Sequence, residues 1–148
     1  MQGAARKISE AKTVGIVWVL LAAGLDILRI LYDMYRMSCL FCDIVAGKKS
    51  SRIVYEDDQA LAFEDVRPQA PTHVLIVPKR HIVDLKNAVA EDAGIIGYLQ
   101  LIAARIARDR GIEDGYRTVF NVGEKSGQSV FHLHLHLLGG RVLRWPPG

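Results

Sequence analysis

Three of the chain's five histidines fall in one short run, Phe131-His132-Leu133-His134-Leu135-His136-Leu137-Leu138. Near neutral pH an imidazole can serve as nucleophile, proton donor or metal ligand. Strict alternation within an apolar segment is the periodicity of a β-strand, which sends every second side chain to one face. The pattern therefore predicts that His132, His134 and His136 share a face while Leu133, Leu135 and Leu137 enter a core behind them. Successive same-face positions lie roughly 6.5 to 7 Å apart, so one ligand phosphate could touch more than one ring. The competing readings are a His-rich metal site and an exposed sheet face that happens to carry histidine.

Two further groups carry chemical potential. Asn121-Val122-Gly123-Glu124-Lys125-Ser126-Gly127-Gln128-Ser129 leads into the histidine run. Its glycines permit close backbone approach and its Gln and Ser supply neutral donors, which suits phosphate oxygens. Cys39 and Cys42 form one Cys-x-x-Cys and are the chain's only cysteines. Two cysteines are a poor basis for a secreted disulfide scaffold and suggest a reducing, cytoplasmic setting. They could be a redox pair, half of a zinc site or buried small hydrophobes. No strand-turn-helix pattern of a thioredoxin-like motif surrounds them, which ranks zinc above redox chemistry.

These groups need a scaffold. With 148 residues, half of them apolar, the chain can bury one core, so one domain is expected. Of the net charge of +3, residues 1–36 carry +2 and residues 37–148 carry +1. A nearly neutral domain has no basic surface suited to nucleic acid.

Residues 1–36 read as a separate helical extension. Thr13 to Leu25 is almost continuously apolar, while Asp26, Arg29, Asp33 and Arg36 would form a polar stripe on the same helix. The apolar run is shorter than the about 20 residues that span a bilayer. A signal peptide with a poor Ala22-Ala23-Gly24 cleavage site, a membrane-surface helix, a partner-packing helix and an upstream segment from a start assigned too early all compete. The last is favoured, because Met37 stands directly before Ser-Cys-Leu-Phe-Cys.

From residue 37 onward the elements are short and mixed. A brief helix is predicted over Cys39–Ala46 and stopped by Gly47; strands follow at Arg52–Glu56 and Ala60–Glu64 around the turn Asp57-Asp58. His73–Pro78 reads as a buried strand. Ile95, Ile96, Leu99, Ile102 and Ile106 mark an amphipathic helix over Glu91–Arg110, with Gly111 as its stop. Tyr116–Val122 and Val130–Leu138 complete the strands. Strands around one long helix, without βαβ alternation, indicate an α+β domain with an antiparallel sheet of about five strands. The Trp145-Pro146-Pro147-Gly148 tail cannot continue a helix or central strand.

His132-Leu133-His134-Leu135-His136-Leu137-Leu138 matches the His-φ-His-φ-His-φ-φ signature, φ being apolar, so the domain resembles the histidine triad superfamily and its Hint branch. Ala62-Phe63-Glu64-Asp65-Val66, Pro68-Gln69-Ala70-Pro71-Thr72-His73, Ile76-Val77-Pro78-Lys79, Gly127-Gln128-Ser129-Val130 and the Trp-Pro-Pro-Gly tail support the match. The resemblance implies hydrolysis of purine nucleoside phosphoramidates through a nucleotidyl-histidine intermediate. His134 would attack the α-phosphorus with its tautomer fixed by a backbone carbonyl, and His136 would hold the phosphoryl oxygens. His73 and Ser129 would join the proton and hydrogen-bond network, with His132 orienting it.

By the same resemblance Asp65 would bind the ribose hydroxyls, and Leu40, Phe41, Ile44, Phe63, Val66 and Leu75 would form a slot for the purine. Asn121, Gly127, Gln128, Ser129 and Val130 would line the phosphate end. For the apolar residues, core packing is the plain alternative. Cys39, Cys42, His81 and His132 match a structural zinc set of some relatives, whereas catalysis through an imidazole needs no metal. A homodimer is also implied. The rival functions are a dinucleoside polyphosphate hydrolase or nucleotidyl transferase of the same superfamily, a non-catalytic purine-nucleotide-binding scaffold and a zinc-binding structural module.

Overall fold

The structure, a computed structural model, describes residues 39–147. The extension at 1–36 lies outside them. The fold is α+β as the pattern predicts: a short helix α1 (Leu40–Val45), strands β1 (Ile53–Glu56), β2 (Ala60–Glu64) and β3 (Thr72–Pro78), a long helix α2 (Ala93–Asp109), then β4 (Tyr116–Phe120) and β5 (Leu135–Gly139). All neighbouring strands run antiparallel, in the order β1-β2-β3-β5-β4.

Local chemistry sets the punctuation. Asp57 Oδ1 accepts the backbone amides of Gln59 and Ala60, each at 2.8 Å, which closes the β1–β2 turn. Helix α2 ends where Gly111 takes φ +63° and the Ile112 amide reaches back to the Ala107 carbonyl at 2.9 Å. Central β3 is buried along its whole length, as expected of a strand covered on both faces.

Alternation along these strands divides the interior. Ala60, Ala62, Val74, Ile76, Leu133, Leu135 and Leu137 meet Leu99, Ile102, Ala103 and Ile106 of α2 in one cluster. Leu61, Phe63, Leu75 and Val77 face the other way and pack with Cys39, Phe41 and Cys42 around α1. The histidines project on this second side, and the leucines between them fill the first. The long helix thus supplies core, and the chemistry collects on the face that α1 covers only in part.

The final strand is shorter than its alternation predicts. Only Leu135–Gly139 pairs with β3 and β4, and residues 129–134 leave the ladder. There the His132 amide donates to the Val130 carbonyl at 2.9 Å and the Leu133 amide to the Ile82 carbonyl at 2.6 Å. Sidedness survives without the ladder because a buried leucine at every second position still anchors the extended chain.

Candidate active site and metal cluster

His134 is 6% exposed, and its Nδ1 lies 2.6 Å from the carbonyl oxygen of His132. A carbonyl only accepts, so Nδ1 carries the proton and Nε2 keeps its lone pair. Burial depresses the pKa of His134 below the imidazole range, although the bond to His132 and the charge of Asp65 pull it back up. The side chain is therefore a neutral imidazole with a bare Nε2, the form that can attack an electrophile. The edge of Phe41 packs against its ring at 5.2 Å between centroids, which limits rotation.

The ring of His136 lies 5.0 Å from that of His134. Its tautomer follows from a chain of donors. The Gln69 amide donates to His73 Nδ1 at 3.1 Å, so the proton of a neutral His73 sits on Nε2. That Nε2 lies 2.9 Å from His136 Nδ1 and 3.4 Å from Asp65 Oδ2. Accepting at Nδ1 places the proton of His136 on Nε2, where Asn121 Nδ2 stands 3.4 Å away. Two donors side by side suit a shared anionic oxygen. Burial, followed by repulsion from His134 and His73, pushes His136 down to about 4 against the pull of Asp65. Burial likewise holds His73 low, opposed by Asp65 and Glu64.

His132 has turned away from this pair. It is fully buried, its Nε2 donates to the Pro78 carbonyl at 2.8 Å, and its Nδ1 stands 3.5 Å from both Cys39 Sγ and Cys42 Sγ. His81 Nδ1 lies 3.3 Å from Cys42 Sγ. No ligand can therefore reach the ring of His132 as it reaches the other two. The four ligand atoms lie within 4.8 Å of one another. Zinc bonds of about 2.3 Å to sulfur and about 2.05 Å to nitrogen, at the tetrahedral angle, put S and N about 3.5 Å apart. The observed spacings match that edge, and the Pro78 carbonyl on His132 Nε2 leaves Nδ1 as the ligating atom. The two cysteines form no disulfide with each other.

Asp65, His73 and His136 also bring three ligand atoms within the same span. Their 2.9 Å nitrogen–nitrogen separation is shorter than the about 3.3 Å edge of a metal tetrahedron, and fits a directly shared proton.

Of the residues expected around a purine, Phe41, Phe63 and Leu75 are buried in one cluster with Ile44 and Val130 packed on it. Leu40 is half-exposed and Val66 is 94% exposed, so neither closes the slot. Asp65 Oδ1 accepts the Arg67 amide at 2.7 Å, which leaves Oδ2 toward His73. In the loop, Gly127 adopts φ +92°, a conformation that favours glycine. The side-chain amide of buried Gln128 is used internally: it accepts from the Gly123 amide at 2.8 Å and donates to the Val83 carbonyl at 2.9 Å. Gln128 thus holds the loop in shape, while Ser129 is exposed at its end.

Sequence reasoning missed the backbone partners: the Gln69 amide, the Pro78 carbonyl and the Ile82 carbonyl. Main-chain groups leave no residue-type signature, although Pro68 in the Gln69 turn and Pro78 at the end of β3 mark the places where the chain bends.

The HIT domain family profile matches residues 46–143. The chain is 51% identical over 109 residues to an uncharacterized HIT-like protein of Synechococcus elongatus, covering 74% of this chain and 96% of that protein. It is 48% identical over 111 residues to the 14 kDa zinc-binding protein of Zea mays, covering 74% and 87%. The crystal structure of a HIT family hydrolase from Legionella pneumophila superposes with a TM-score of 0.73 at 47% identity, covering 75% of this chain and all of that one.

Proposed function

The chain belongs to the HIT domain family, and from that premise we propose that it hydrolyses purine nucleoside phosphoramidates, cleaving the P–N bond through a nucleotidyl-His134 intermediate. The observation that carries this reading is the 2.6 Å bond from His134 Nδ1 to the His132 carbonyl, which leaves Nε2 as a neutral nucleophile. The Legionella pneumophila relative is described as a hydrolase, which supports an enzyme rather than a scaffold.

His134 Nε2 attacks the α-phosphorus, the P–N bond breaks, and the amine leaves with a proton drawn from the His73, Ser129 and His136 network. Water then attacks the phosphorus of the adduct and returns its proton to that network as the P–N bond to His134 breaks, giving the nucleoside monophosphate and restoring the imidazole. His136 Nε2–H and the Asn121 amide face the developing negative charge on the phosphoryl oxygens. Asp65 receives the ribose hydroxyls, and Phe41, Phe63, Leu75, Ile44 and Val130 present the apolar surface that meets the base.

Zinc has a structural role in this reading. Cys39, Cys42, His81 and His132 would hold it; when bound it supplies a cross-link between α1 and residues 81 and 132. The domain works as a homodimer in the cytoplasm, its exposed Leu101 on α2, edge strand β4 and 83% exposed Trp145 offering contact surface to a second copy. No helix among the described residues is long and apolar enough to cross a membrane.

Purified protein given an adenosine 5′-monophosphate joined through nitrogen to an amine, and separately a diadenosine polyphosphate, tests the substrate. Faster release of adenosine monophosphate from the phosphoramidate is expected. Faster cleavage of the P–O–P compound assigns the protein to the polyphosphate hydrolases instead, and binding without turnover of either assigns it as a scaffold.

A further inference from the structure

His132 belongs to two sites at once. Its ring is packed among the thiols of Cys39 and Cys42, while its carbonyl holds the Nδ1 proton of His134. The peptide unit between residues 132 and 133 carries both duties. Its C=O faces His134, and its N–H donates to the Ile82 carbonyl at 2.6 Å, one residue from the cluster's other imidazole, His81. No sheet ladder holds this unit, because β5 begins only at Leu135. Its position is set by these contacts and by the 2.8 Å bond from His132 Nε2 to the Pro78 carbonyl.

We propose that His132 is a positioning residue through which filling of the Cys39/Cys42/His81/His132 cluster by zinc locks His134 in its Nδ1–H tautomer, so that metal occupancy sets the readiness of the nucleophile. The expected link to turnover rests on the phosphoramidase reading; the coupling itself does not. When the cluster is filled, His81 and His132 are tied to α1 and the carbonyl cannot drift from His134. When it is empty, residues 129–134 are held by fewer anchors, and small displacements of a catalytic group lower rate steeply. Coupling of this kind must be reciprocal: whatever breaks the bond from His134 to the carbonyl must weaken zinc.

Protein with 15N-labelled histidine rings, zinc-loaded and chelator-stripped, provides the direct test at one fixed pH. Two-bond 15N–1H spectra are expected to show a single Nδ1–H tautomer for His134 when loaded and exchange between tautomers when stripped, reversed by added zinc. Turnover of the adenosine phosphoramidate should fall by roughly tenfold or more in kcat with KM little changed. Identical His134 spectra in a stripped protein that remains folded by circular dichroism overturn the coupling. Should stripping unfold the chain, His134→Ala, which leaves the His132 carbonyl with no side-chain donor, answers instead: several-fold weaker zinc against a competing chelator is expected, and unchanged affinity overturns the proposal. Tautomer exchange without phosphoramidate cleavage in any state refutes the substrate reading and leaves the coupling standing.

Discussion

His73 Nε2 lies 2.9 Å from His136 Nδ1 although the two residues are 63 positions apart. Register explains the meeting. Leu75 sits opposite His136 and His73 opposite Leu138, so the two histidines are diagonal neighbours on one face of the β3–β5 pair, close enough for long side chains to touch. The Gln69 amide on the far nitrogen of His73 then fixes the direction of the proton and makes His136 a donor at Nε2.

Replacing His73 with Leu removes the acceptor for the Gln69 amide and the fixed donor to His136. The expected loss is roughly tenfold to a hundredfold in kcat, with KM within a few-fold, since the missing help acts on charge that develops in the transition state. Steady-state kinetics on an adenosine phosphoramidate checks this. A change confined to KM would show that His73 serves binding.

Acid should destabilise the fold before it protonates carboxylates. His73, His134 and His136 are held below the imidazole range by burial, His136 to about 4, whereas in the unfolded chain each titrates near about 6.5. Between those limits the unfolded chain binds more protons, so unfolding free energy falls as pH drops below about 6.5 and the contribution levels off near the folded values. Urea midpoints of zinc-stripped protein should decline from pH 6.5 toward 4 and hold steady above 7. His136→Asn should decline less steeply.

Zinc-loaded protein should contain one zinc per described domain, and chelation should lower the melting temperature, because a ligand held only by the folded chain stabilises it. Cys39→Ser/Cys42→Ser should lose the metal and match the stripped melting temperature. Metal analysis and thermal scans decide, and a double variant that retains stoichiometric zinc would contradict the assigned ligands.

Leu135 is fully buried between β3, β4 and α2. Leu135→Ala should cost about 2 to 5 kcal/mol of stability, measured by urea unfolding. A loss below about 1 kcal/mol would mean that the leucines behind the histidines do not anchor the strand.

The sequence of this fold marks some of its features and not others, for physical reasons. Alternation at residues 131–138 marked which side chains enter the core, because sidedness has a period of two whether or not a ladder forms. It did not mark where the ladder begins, since pairing depends on partners distant in sequence; residues 129–134 instead bond to residues 78 and 82. Resemblance names the four residues of the metal cluster, whereas only the geometry shows that the ring of His132 leaves the other two histidines. The resemblance places Gln128 at the phosphate end, but burial decides that its amide serves the Gly123 and Val83 main chain. Val66 illustrates the opposite limit, an apolar residue that remains almost wholly exposed.

The proposed reaction passes through a bond between one ring nitrogen and phosphorus. Rapid quenching of turnover on an adenosine phosphoramidate, followed by peptide mapping under conditions that preserve phosphoramidate linkages, should find an adenylyl group on His134 and none in His134→Ala, which should have lost at least a thousandfold in kcat. Adenylate on another residue, or full turnover in His134→Ala, would contradict it.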